Sequence, residues 1–197
     1  MGNSRAYPVH RTTDAAEAYV QAKRLCALLE RLDDEMYLSA DLRTADEVRR
    51  MATVLPRGDY SPVAPLRDPV TDEYLFCTVE TLPEDPAELA AVLPIHVTAY
   101  VPPSAAVEEA FLGALGEGPA SMDWSGLWLL VPGLGDPGPD KYHGVQAVFH
   151  AEDADAEQWS ETHTVFVHVY KGGDPDRARW LAAQIGSDVL GESQTGW

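Results

Sequence analysis

Lysine is scarce in this chain. Three lysines (Lys23, Lys141 and Lys171) and eleven arginines stand against 32 acidic residues in 197, for a formal net charge of -18. A surface of that sign repels phosphate backbones, whose binding needs clustered cations that release counterions, so long nucleic acid is not an expected partner. The two cysteines, Cys26 and Cys77, are too few and too far apart for a zinc motif or a disulfide framework, and both are expected to be reduced. The first twenty residues have no apolar segment of the signal-peptide kind, and no run approaches the 18 apolar residues of a membrane span. Membrane attachment is therefore not expected, and a cytoplasmic protein is. Low lysine with abundant Ala, Gly and Pro points to a bacterial source with a GC-rich genome, or to a halophile.

The chain also lacks the commoner catalytic signatures. There is no Gly-x-Ser-x-Gly elbow and no Cys-His pattern. LVPGLGDPGPD is glycine-rich, but its three prolines and the absence of a following helix pattern keep it from cradling a phosphate. The acidic stretch 151–161 places Asp153, Asp155 and Glu157 at alternate positions. It has no glycine at the sixth position of a calcium loop, and Thr164 stands where the bidentate glutamate belongs, so a solvated loop is expected. Nothing calls for a metal or a cofactor.

With 45% hydrophobic residues the chain has the material for an ordinary core. Asp14 and Glu17 resemble a capping box, and Leu25, Leu28, Leu29, Leu32 and Met36 recur at three- and four-residue spacing, which predicts a helix over about 14–34. A second helix is expected over 45–54. The proline-rich stretch that follows suggests a division into an N-terminal helical segment (1–58), a connection (59–73), a sheet domain (74–191) and a frayed tail (192–197). In the sheet domain, strands are expected over 74–80, 95–101, 126–131, 144–150 and 163–170, with helices in PEDPAELAAVL (83–93), after Ser104 and from an Asp174–Pro175 start.

Two segments align without a gap. VTAYVPPSAAVEEAFLGALG (97–116) and VHVYKGGDPDRARWLAAQIG (167–186) each read as strand, turn and helix. The fold expected is α+β: a ferredoxin-like or related mixed sheet with helices on one face, plus the helical N-terminus.

Five of the six histidines lie in the second half, at 96, 143, 150, 163 and 168. No two share one strand face at two-residue spacing, so no single strand offers a paired metal site. The stretch IHVT, following a strand-like segment and a short helix, resembles the first half of the 2H phosphoesterase superfamily, which includes bacterial RNA cyclic phosphodiesterases. In that family two His-x-Thr/Ser motifs face each other across a cleft. The resemblance implies that His96 is an acid or base and that Thr98 binds a phosphate oxygen. The second motif is absent, because the internal alignment sets Phe166 opposite His96. His168 is the candidate second group, expected partly exposed and roughly 5–8 Å from His96.

A second expectation is a small ligand in a pocket lined by Trp128, Tyr142, Phe166 and Tyr170, with His96 and His168 orienting it, and a small-molecule enzyme as its fullest form. The third is an acidic interaction module, of inhibitor or immunity type, for a basic protein partner.

Overall fold

Alternation of apolar and polar residues shapes this protein more than helical periodicity does. The computed structural model describes residues 4–62, 78–172 and 176–197. In chain order these form β1 (Ser4–Thr12), α1 (Ala15–Cys26), β2 (Leu29–Leu42), α2 (Ala45–Val54), β3 (Asp59–Pro62), α3 (Pro86–Ala91), β4 (Ile95–Val101), α4 (Ala105–Ala114), β5 (Ala120–Trp128), β6 (Gly144–Phe149), β7 (His163–Tyr170), α5 (Asp176–Gln184) and β8 (Gln194–Thr195). Single 3-10 turns sit at Val79–Thr81 and Asp140–Tyr142.

The strands make one sheet in the order β3-β4-β2-β5-β6-β7-β1-β8. The α+β class is as expected. Every described pairing is antiparallel, however, where a mixed sheet was expected.

The N-terminal part is not a separate helical segment. Its strand β1 pairs with β7, and β2 lies between β4 and β5 in the middle of the sheet. The helix expected over 14–34 stops at Cys26, and Leu29, Leu32 and Met36 belong to β2. Their helical spacing has a physical origin: β2 shifts register between Leu29 and Arg31 and again between Leu32 and Met36. Each irregularity adds residues to one strand and breaks the two-residue period. From Met36 onward alternation is strict, with Met36, Leu38, Ala40 and Leu42 buried.

Those residues join Ile95, Val97 and Ala99 of β4 and Ala120, Met122 and Trp124 of β5 in one core with Leu25 of α1, Met51 of α2, Phe111 of α4 and Leu181 of α5. The helices therefore cover one face of the sheet. Each large side chain fully removed from water there contributes about 1.5–3 kcal/mol.

The helix starts follow capping chemistry. Asp14 accepts from the backbone N–H groups of Ala16 and Glu17, Thr44 and Glu47 form a reciprocal capping box, and Ser104 accepts from Val107 N–H. The helices expected over 45–54, within 83–93 and after Ser104 are present, the second of them over Pro86–Ala91 with Asp85 as its cap. Strands β4 and β7 match their expected spans, β6 ends at Phe149, and β5 begins at Ala120, six residues before its expected start. Of the strand expected over 74–80, residues 74–77 lie outside the described residues and Val79–Thr81 is a 3-10 turn. The Asp174–Pro175 helix start and Cys77 also lie outside them. The two aligned segments are each a strand followed by a helix, β4-α4 and β7-α5.

The tail is not frayed. Strand β8 pairs with Arg5 and Ala6 of β1, Ser4 N–H donates to Trp197 O, and the Trp197 ring stacks on His168 with centroids 3.5 Å apart. Gly196 makes this approach possible, since a Cβ there would fall 2.1 Å from Ser4 Oγ and 2.6 Å from His168 Nδ1. Among the described residues no helix is long and apolar enough to cross a membrane.

Candidate functional site

The second face of the sheet receives the polar partners of each alternating strand. Tyr37, Ser39 and Asp41 project there from β2, His96 and Thr98 from β4, Ser121 and Asp123 from β5, Gln146 from β6 and His168 from β7. The assignment follows from their opposite parity to the core residues. At the β6-β7 end this face is covered. Ala151 and Ala154 of the acidic stretch pack with Ala6, Val148 and Phe166 in a second small apolar cluster. The stretch expected to be a solvated loop is thus partly a roof, because its alanines bury against the sheet while Asp153 bonds the N–H groups of Glu157 and Gln158.

Between this roof and the exposed end of the sheet lies a cleft of about 270 Å³. His96, Ser39, Ser121 and Asp123 form its floor; Asp155 and Trp197 stand on its rim.

At one end His96 Nδ1 lies 2.7 Å from Asp41 Oδ1, its cross-strand partner. A carboxylate only accepts, so Nδ1 carries the proton and Nε2 is the nitrogen left for a bound group. The His96 side chain is 42% exposed. Thr98, one place along on the same face, interacts with the Tyr37 hydroxyl.

In the centre, Ser39 Oγ and Ser121 Oγ are 3.1 Å apart, and Ser121 donates to Asp123 Oδ2 at 3.3 Å. Asp123 is 8% exposed, and among the described residues its Oδ1 has no hydrogen-bond partner. Burial pushes its carboxyl up to about 7 from 3.8, against the opposing effect of the Ser121 hydroxyl and the neighbouring Gln146 amide. A carboxyl there changes charge in the neutral range, as acids and bases at working sites do.

At the far end Gln146 is held on both sides. Its Nε2 donates to Ala154 O at 2.9 Å, and its Oε1 accepts from His168 Nε2 at 3.1 Å. His168 Nδ1 is therefore the unprotonated nitrogen, beside Ser4 Oγ at 3.4 Å. Burial drives the His168 imidazole down to about 3, so it stays neutral.

The two histidines share a face and a cleft, but not the geometry expected of a proton-transfer pair. His168 is 1% exposed, and three strands (β2, β5 and β6) stand between β4 and β7. Four interstrand steps of ~4.8 Å set these strands roughly 19 Å apart along the sheet. The gap-free alignment relates the segments in sequence without making them neighbours.

The expected aromatic lining is also corrected. Trp128 belongs to the helix-side core and donates to His168 O. Phe166 is sealed in the second cluster, and Tyr142 stacks on Tyr170 with centroids 5.6 Å apart. None of the four lines the cleft, where the aromatic rings are Tyr37 and Trp197. Composition shows that aromatics are present, but strand parity and sheet order decide which ones meet.

Ser39, Ser121 and Asp123 are absent from the sequence-based candidates. A signal for them exists: MYLSADL (36–42) and ASMDWS (120–125) alternate apolar and polar residues without a break, and the polar members form the cleft floor.

The fold and site together define an α+β protein with an antiparallel sheet, helices on one face and a partly roofed polar cleft on the other. No protein-family model matches the chain, and no significant match to it is found among curated proteins or solved structures.

Proposed function

We propose that this protein binds a small polar molecule in the cleft, with Asp123 as the central contact. The reading rests on one observation: a carboxyl 8% exposed, with Oδ1 unbonded, set in the wall of a cavity. A buried acceptor without a partner costs about 1–3 kcal/mol, a cost that a ligand donor relieves. Since Asp123 changes charge near pH 7, the same group is suited to exchange a proton with what binds, and His96 Nε2 offers a second exchange point. We take the protein to act in the cytoplasm.

Cyclic phosphodiester hydrolysis is less well supported. No lysine or arginine lines the cleft among the described residues, and His168 is sealed and neutral. The interaction-module reading draws on the net charge alone.

The test is native mass spectrometry of gently purified protein, alongside a melting-temperature screen of small polar compounds. The expected result is an adduct or stabilising hit that Ser39→Trp, which fills the cleft floor, abolishes. Hits that persist in Ser39→Trp, or none in either experiment, would overturn the proposal.

A further inference from the structure

We infer that the molecule suited to this cleft is a small organic cation with N–H donors, such as a primary ammonium or guanidinium, bonded to Asp123 Oδ1. This inference rests on the cleft being a binding site and adds the chemical class of its occupant.

Several independent features converge on that class. The charged residues of the lining are two carboxylates, Asp123 and Asp155, with His96 as the titratable base, and the chain as a whole carries -18. An anion entering the cleft would meet these carboxylates without a fixed counter-charge, whereas a cation is attracted to it. Two lining atoms lack partners among the described residues: Asp123 Oδ1, an acceptor when ionised, calls for a donor, and Trp197 Nε1, a donor, suits an acceptor elsewhere on the same molecule. A charge-assisted N–H bond to a carboxylate is about twice as strong as a neutral one. The rings of Tyr37 and Trp197 supply aromatic surface, which attracts cations, and Ser39 and Ser121 add hydroxyls for a polar tail. At about 270 Å³ the cleft has room for a small molecule of this class.

A pH signature follows. Ionised Asp123 holds the cation and the protonated acid does not, so affinity rises with pH through about 7. Tyr37 from β2, His96 from β4, Gln146 from β6, His168 from β7 and Asp155 from the roof share the cleft. Of these, His168 stays neutral. The Asp123→Asn variant isolates the contribution of Asp123 to the pH dependence.

The experiment is NMR titration of the full chain with ethanolamine and agmatine, set against tetramethylammonium (a cation without N–H), ethylene glycol, acetate and inorganic phosphate. Ethanolamine or agmatine is expected to bind about tenfold more tightly than the four controls, and Asp123→Asn to remove that preference. If Asp123→Asn does not fold, the parent decides, because an affinity unchanged between about pH 5.5 and 8.5 overturns the inference. Tighter binding of acetate or phosphate, with cleft resonances shifting, overturns the cationic class and leaves the cleft standing as a site. Equal binding of tetramethylammonium overturns the N–H requirement and with it the role of Oδ1. Absence of any cleft shift with every probe overturns the class, while the adduct experiment with Ser39→Trp decides separately whether the cleft binds anything.

Discussion

At the scale of single residues, Asp123 shows how one position on a strand acquires chemistry. Its neighbours on β5, Met122 and Trp124, point into the helix-side core and hold the backbone, while the carboxyl projects into a face half closed by the roof. Burial favours the neutral acid, so the folded-state pKa near 7 exceeds the ordinary 3.8. The sign follows: a raised carboxyl contributes stability that is fully present below about pH 4 and is lost as pH rises through about 7. Over that window the group accounts for a loss on the order of 4 kcal/mol. Asp123→Asn removes the ionisation, so its stability relative to the parent should be markedly greater near pH 8 than near pH 5. Urea unfolding at both values checks this; equal differences would mean that Asp123 ionises like a surface carboxylate.

At the scale of elements, the junction of α1, α4 and β5 carries the most specific buried contact. Glu108 of α4 is fully buried and accepts from Tyr19 Oη at 2.7 Å, Lys23 Nζ at 2.9 Å and Trp124 Nε1 at 3.0 Å. Burial opposes its charge, but these bonds outweigh that effect and hold the carboxyl below its ordinary range. Removing a buried carboxylate leaves Tyr19 and Trp124 without acceptors, whereas the half-exposed Lys23 can turn to water. Glu108→Ala should cost about 3–4 kcal/mol in urea unfolding, while Glu109→Ala, one residue along on the exposed side, should be nearly neutral. A small loss at Glu108 would show that the three donors find other partners. This joint was not readable from sequence, since it links residues 85 to 89 positions apart in two of its three bonds. The individual helices were readable, because capping and periodicity act within a few residues. The β2 misassignment has the same root: bulges set by pairing with β5 imitated a helical period.

At the scale of the whole molecule, 32 acidic residues against 14 basic ones make self-repulsion a term in stability. Added salt screens it, since the Debye length falls from about 30 Å at 0.01 M to about 10 Å at 0.1 M. The melting temperature should therefore rise by several degrees over that range, and duplex DNA should show no salt-sensitive binding at physiological ionic strength. Scanning calorimetry across a NaCl series, with a fluorescence anisotropy titration of a labelled duplex, checks both. A flat melting temperature would place the charges too far apart, or too well paired, to repel.

The sequence by itself determined the α+β class, the helix caps at Asp14 and Ser104, the helix over 45–54, the spans of β4 and β7, and the sign of the surface, because these depend on local spacing and composition. It also brought His96 and His168 forward as candidates, and both line the cleft. Only the tertiary structure decided that three strands separate them, that the last residues stack on His168 and close one end, and that Ser121 and Asp123, rather than Trp128, Tyr142, Phe166 or Tyr170, occupy the cleft. Alternation assigns a residue to one face of its strand, but the order of strands in a sheet is set by hydrogen bonding between segments far apart in the chain, and that order decides which polar residues become neighbours.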